Sequence, residues 1–311
     1  MGTGIRDGKD PGVNEEEPHL STATLSLKTI HPRDLKLVVK EVPTLPIVYQ
    51  QLFSKMSNPQ VSVPQLAEIV SRDQALTTKI LKLVNSAFYG YKQEINTISR
   101  AMVILGFRTV RNAALAISVF DYVAGMEEDS RFPIEDFWKH SLCTATICKI
   151  LGQETGIKQQ EETFTGGLLH DIGKLIMKKY FTEDFDEVCN HALNNGQSWI
   201  AAESELLSVD HTNVAKAVLR SWNFPANLVE SVHCHHSLGS GTSYPGLVAL
   251  VNVSDHLSYM LGMGAPASLA AADVDPWALS ELNITLERAM RLQDKFLEET
   301  NQSLEIMQII Q

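Results

Sequence analysis

Apolar residues recur three and four positions apart through much of this chain, and several such runs start at a capping residue. That spacing restricts the fold more than any other feature. In DQALTTKILKLVNSAF, Leu76, Ile80, Leu81 and Val84 form one stripe behind Asp73, a carboxylate suited to capping a helix start. Ser62 precedes a second run with Pro64 in its first turn. Thr97 heads a third, with Ala101, Ile104 and Leu105 inward and Gly106 at its end, and TVRNAALAISVFDYV follows. This part of the chain lacks the alternating runs and hairpin turns of a sheet. The expected fold class is all-α.

The chain divides by composition. Residues 1–31, including MGTGIRDGKDPGVNEEEPHL, read as a disordered polar tail. Residues 32–125 form a first helical half, closed by the polar break GMEEDSRFP from Gly125. Residues 130–265 form a second half, with helices expected at 134–151, 161–180, 185–194, 197–207, 213–222, 225–234 and 247–260. After the loop GMGAPASLAAADVD, residues 275–311 read as two amphipathic helices packing on the domain, the first started by Asp275 and Pro276.

A net charge of −11 disfavours a general nucleic-acid surface, which needs clustered Lys and Arg. No apolar run is long enough for a membrane helix, and the first residues lack a signal-peptide core. Cys143, Cys148, Cys189 and Cys234 form no CxxC pair and suit buried thiols of a reduced chain. These features point to a cytoplasmic protein without membrane partners.

GGLLHDIGKLIM, residues 166–177, sets His170 and Asp171 inside an apolar run. Such a pair is either a satisfied core contact or the centre of a metal site. Other imidazoles and carboxylates accompany it on separate predicted helices. Asp136 stands four residues before His140, His211 follows Asp210 at a helix start, His235 and His236 end a helix, and Asp255 lies among apolar neighbours. Imidazole and carboxylate together suit iron, manganese, zinc or nickel. Lys174, one turn from His170, offers a cation to a phosphate or to a partner carboxylate. His19, His31 and His191 lack such company, and His233 and His256 are weaker candidates.

These residues resemble the HD superfamily of metal-dependent phosphohydrolases, with His140, the His170–Asp171 doublet and Asp255 in matching order. VPTLP (42–46), SRDQALTTKILKLVNSAFYG (71–90), INTISRAMVILGFRTVRNAAL (95–115), VDHTNVAKAVLRSWNFP (209–225) and HCHH (233–236) resemble the HDOD domain, an HD-related output domain of bacterial signalling proteins. The resemblance covers roughly residues 35–260 and implies a helical HDOD architecture: an N-terminal bundle packed on an HD-like half. It also implies a signalling module that works through signalling-protein partners.

The HD-GYP enzymes, more distant relatives that hydrolyse cyclic di-GMP with several metal ions, supply the alternative: a metal-dependent phosphodiesterase acting on a cyclic dinucleotide or nucleotide. Carried over residue by residue, their pattern makes Asp136, His140, His170, Asp171, His211, His235, His236 and Asp255 ligands to one or two divalent ions. Asp171 and Lys174 would then be catalytic if the chain is an enzyme, with Lys174 contacting phosphate. In HHSLGSGTSYPG, Gly241, Tyr244 and Pro245 fall where that family carries Gly-Tyr-Pro. Ser237 and Ser243 depart from its acidic residue and its glycine, which weakens the case for cleavage.

Overall fold

The computed structural model describes residues 1, 26–31, 35, 39, 42, 47–56, 61–85, 93–107, 110–111, 114–115, 117–118, 126, 129–157, 160–239, 241–263 and 274–310. Among the described residues the chain is all helix, with no sheet. Residues 86–90 of SRDQALTTKILKLVNSAFYG and most of TVRNAALAISVFDYV lie outside them.

The first half contributes α1 (Ile47–Met56), α2 (Val63–Ser71), α3 (Gln74–Val84) and α4 (Ile98–Leu105). Their starts follow the capping residues. The Ser62 amide donates to Gln65 Oε1 at 2.9 Å, Leu76 N donates to Asp73 Oδ1 at 2.9 Å, and Arg100 N donates to Thr97 Oγ1 at 3.2 Å. Each cap satisfies an amide that the first helical turn leaves without a partner. The stripes then go inward: Leu66, Ala67, Ile69 and Val70 from α2, Leu76 and Ile80 from α3, Ala101 and Met102 from α4. Asn85 ties the return of the chain, accepting from Ile95 N at 2.7 Å and donating to Ile95 O at 2.8 Å. Helix α4 ends where Gly106 takes φ +83°, a conformation L side chains rarely adopt.

The second half is built around α5 (Ile134–Thr155), a 22-residue helix about 33 Å long. It is buried on most sides, because α6 (Gln160–Leu169), α12 (Pro245–Met260) and the C-terminal α15 (Gln293–Ile310) all pack on it. Between them lie α7 (Ile172–Tyr180), α8 (Thr182–Asn195), α9 (Trp199–Leu206), α10 (His211–Ser221) and α11 (Ala226–Cys234). The expected single helix over 161–180 is two helices, broken at His170 and Asp171. The segment expected as two C-terminal helices is three: α13 (Pro276–Glu281), α14 (Leu286–Met290) and α15. Thr285 accounts for the extra start, accepting from Arg288 N at 3.2 Å.

Within residues 26–31, placed in the disordered tail from sequence, Leu27 and Ile30 are buried. Leu27 is fully buried, its amide donates to Asp184 Oδ2 at 2.7 Å, and its carbonyl accepts from Ser208 N at 3.0 Å. The polar break near residue 125 does not interrupt the core, since one apolar cluster joins α2–α4 to α5–α11. A second cluster joins α5, α12 and the C-terminal helices around Ile147, Leu250 and Phe296. Cys143, Cys148 and Cys189 are buried and Cys234 is half-buried, all as free thiols. No helix among the described residues is long and apolar enough to cross a membrane.

Candidate metal centre

Helix α5 delivers His140, the α6–α7 junction delivers His170 and Asp171, and α7 delivers Lys174. Helix α10 begins with His211, α11 ends beside His235 and His236, and α12 carries Asp255. The ligand-type atoms fall into two groups, each within 4.8 Å: Asp171, His211, His235 and His236, and His140, His170 and Asp255. Asp171 reaches toward both. Its Oδ1 lies 3.2 Å from His211 Nε2 and 4.0 Å from His235 Nε2. Its Oδ2 lies 3.4 Å from His170 Nε2 and 3.7 Å from His140 Nε2. Asp255 Oδ1 is 3.0 Å from His140 Nε2 and 3.4 Å from His170 Nε2.

The far nitrogens explain why the near ones converge. Nδ1–H of His170 donates to Gly167 O at 2.7 Å, and that of His235 donates to Val232 O at 2.6 Å. His211 Nδ1 donates to Glu203 Oε2 at 2.6 Å. His140 Nδ1 donates to Ser258 Oγ at 2.8 Å, because the Ser258 hydroxyl itself donates to Asp255 O. Each bond settles the tautomer and turns the Nε2 lone pair inward, as outer partners of metal-bound imidazoles do.

Two glycines permit this packing. A Cβ on Gly173 would stand 1.9 Å from His211 O, and one on Gly167 would stand 2.6 Å from Ala145 Cα. The first glycine lets α7 approach the start of α10. The second lets α6 lie against α5.

Burial disfavours charge on every group here, and the neighbours decide the outcome. For His170 it is outweighed by Asp171 and Asp255, which raise the imidazole to about 10. For His211 it is outweighed by Glu203 and Asp171, which raise it to about 9. His235 is lowered to about 3 by burial and by the neighbouring His170 and His211. Against the desolvation that opposes them, His170 and Lys174 hold the Asp171 carboxyl well below its usual range. Lys174 in turn donates to Asp171 Oδ2 at 2.6 Å and is raised in spite of burial.

The donor set fits a divalent ion. Asp171 Oδ1, His211 Nε2 and His235 Nε2 are buried and have no hydrogen-bond partner. Buried polar atoms without hydrogen-bond partners are costly, and a cation held among neutral imidazoles and the carboxylate removes the cost. Both groups are capable of coordinating a divalent metal ion.

Of the eight sequence-nominated ligands, the structure brings seven together. Asp136 stands apart: its side chain is 38% exposed and its Oδ1 lies 3.5 Å from Lys139 Nζ. It occupies the first turn of α5, one turn nearer solvent than His140. His191 pairs with Glu205 at 2.8 Å, and His256 is buried against Asn252 O.

Sequence reasoning missed Glu203, Ser258 and Tyr259. Glu203 is fully buried, accepting from Trp199 Nε1 at 2.8 Å and from the His211 amide at 3.2 Å as well as its ring. Tyr259 packs its ring 4.5 Å from that of His140. Ser258, three residues after Asp255, carried a legible signal in its helical spacing, and Glu203 carried none.

Comparison with known proteins agrees with this architecture. A crystal structure of an HDOD domain protein of unknown function from Geobacter sulfurreducens superposes with a TM-score of 0.74 at 20% identity, covering 88% of this chain and 98% of that one. An uncharacterized protein of Treponema pallidum is 22% identical over 201 residues, 64% of this chain and 38% of its own length. A Vibrio cholerae protein named cyclic di-GMP phosphodiesterase CdgJ is 25% identical over 131 residues, 42% of this chain and 29% of its own. The chain therefore spans well under half the length of these curated relatives. The model of the HDOD domain matches residues 42–238, well over half of the chain and inclusive of six of the seven clustered residues, and the chain belongs to the HDOD domain family.

Proposed function

We propose that this chain is a bacterial signalling module in which a buried metal centre stabilises the arrangement of helices that signalling-protein partners recognise. The observation that carries this reading is enclosure. His170, His211 and His235 are 0% exposed, Asp171 2% and Asp255 4%. Lys174, the residue that would meet a phosphate, is buried and spent on Asp171. A phosphoester substrate needs an open face beside the ligands, and among the described residues named for the centre only His236 and Tyr259 are half-exposed.

In this reading His140, His170 and Asp255 would hold one ion and Asp171, His211, His235 and His236 another. Bound ions would supply Lewis acidity and positive charge beside the Asp171 and Asp255 carboxylates. The chain's own residues do the rest. Glu203, Ser258 and the Gly167 and Val232 carbonyls aim the imidazoles, and Lys174 offsets charge on Asp171.

The second reading is a metal-dependent phosphodiesterase acting on a cyclic dinucleotide or nucleotide. The reach of Asp171 toward both groups favours it, as does the similarity to a protein named for cyclic di-GMP cleavage. Ser237 and Ser243 count against it.

One experiment separates these readings. Chain purified without a histidine tag is assayed for bound iron, manganese, zinc and nickel, and for hydrolysis of cyclic dinucleotides, beside Asp171→Asn. The module reading expects bound metal, its loss in D171N, and no turnover above that variant. Metal-free wild-type protein would sink the metal centre, and turnover exceeding that of D171N would replace the module by the enzyme.

A further inference from the structure

Helices α10 and α11 present His211 and His235 to the metal centre. They also wall a separate pocket of about 590 Å³, closed by the stretch that contains Gly241 and Thr242. That volume is in the range of small-molecule sites. Lys216 and Arg220 both line it, one helical turn apart on α10. Among the described residues, neither forms an ion pair or a side-chain hydrogen bond.

Like charges at this spacing repel. Lys216 is held below the usual lysine range, first by burial and then by Arg220. Glu230, the carboxylate among the lining residues, offsets the two cations only in part, and its Oε1 accepts from the Tyr244 amide at 2.9 Å. Thr242 Oγ1 is buried with no partner. Phe224 and Val229 add an apolar wall. Lys216 is half-buried beside Arg220 and the buried Thr242 hydroxyl is unmet, an arrangement that an anion in the pocket would satisfy.

We propose that this pocket is a second ligand site, taking a phosphorylated small molecule of nucleotide size. Lys216 and Arg220 bind the phosphate, Thr242 hydrogen-bonds to it, and the apolar wall accommodates a ring. A guanidinium beside an ammonium suits a phosphate oxyanion geometrically as well as by charge. Gly241 and Thr242 stand beside Ser243, which departs from the Gly-Tyr-Pro pattern. The pocket gives that segment a use independent of cleavage.

Phosphate also has affinity for metals, so the test keeps the two sites apart. The chelator-treated chain, residues 1–311, is titrated calorimetrically with inorganic phosphate, pyrophosphate and GMP, in parallel with Lys216→Gln/Arg220→Gln and with Asp171→Asn. The expected result is saturable binding of at least one probe by wild type and D171N, weakened by about tenfold or more in the double variant. Arg220→Gln alone, at an exposed position, gives the same readout if the double variant melts early. No saturation by any probe up to about 10 mM overturns the proposal. So does binding that is lost in D171N but kept in the pocket variants, which places the anion at the metal centre.

Discussion

At the scale of single residues, the centre is a set of imidazoles whose outer nitrogens are already committed. His170 and Asp171 were legible in the sequence because two polar groups in an apolar run need partners. Glu203 was not legible. Its neighbours in WIAAESEL do not distinguish it from a solvated helix acid, and only the fold shows that it meets Trp199 and His211. Replacing Glu203 by Gln leaves the His211 ring with a weaker acceptor. Metal affinity should fall by about 10- to 100-fold, read by competition with a chromophoric chelator, with little change in helix content.

The neighbouring carboxylates raise His170 to about 10 and His211 to about 9 against their burial, which favours the protonated rings in the metal-free chain. Ligation needs the neutral rings, so binding must release those protons. Calorimetric titration in buffers of different ionisation enthalpy should show about two protons released at pH 7. Metal affinity should fall as pH falls and level off above the higher of the two values.

At the scale of elements, capping chemistry was the most readable part. Asp73, Thr97 and Asp275 accept from the amides of Leu76, Arg100 and Trp277, as a short polar side chain before an apolar stripe implies. The His170–Asp171 break was not readable, because 161–180 keeps helical spacing throughout. Adjacent residues on an unbroken helix point about 100° apart. At the break Asp171 takes φ −101° and ψ +10°, and both side chains turn into one site. Gly173 makes the turn compatible with α10. Gly173→Ala would set a methyl group against His211 O, so we expect a loss of about 3 kcal/mol in urea unfolding. Bound metal should fall with it, because His211 is displaced.

At the scale of the whole molecule, the two compositional halves share one core, and the C-terminal helix secures them. Helix α15 packs on α5 and also on α3, so it spans the polar break that looks like a boundary in sequence. Phe296, fully buried in the second cluster, is its anchor. Phe296→Ala should cost about 3–5 kcal/mol, measured by denaturant unfolding, while the pocket residues Lys216 and Arg220 are untouched.

The sequence by itself determined the all-helical class, several helix caps, the absence of alternating strand patterns and the residue types of a metal site, because spacing and local hydrogen bonding are properties of neighbours along the chain. Only the tertiary structure decided that Asp136 stays outside the cluster, that Glu203 stands behind His211, that Leu27 and Ile30 are buried, and that Lys216 and Arg220 share a pocket. Those outcomes depend on which helix faces meet across long separations in sequence. Packing in three dimensions sets such distances, and no local pattern encodes them.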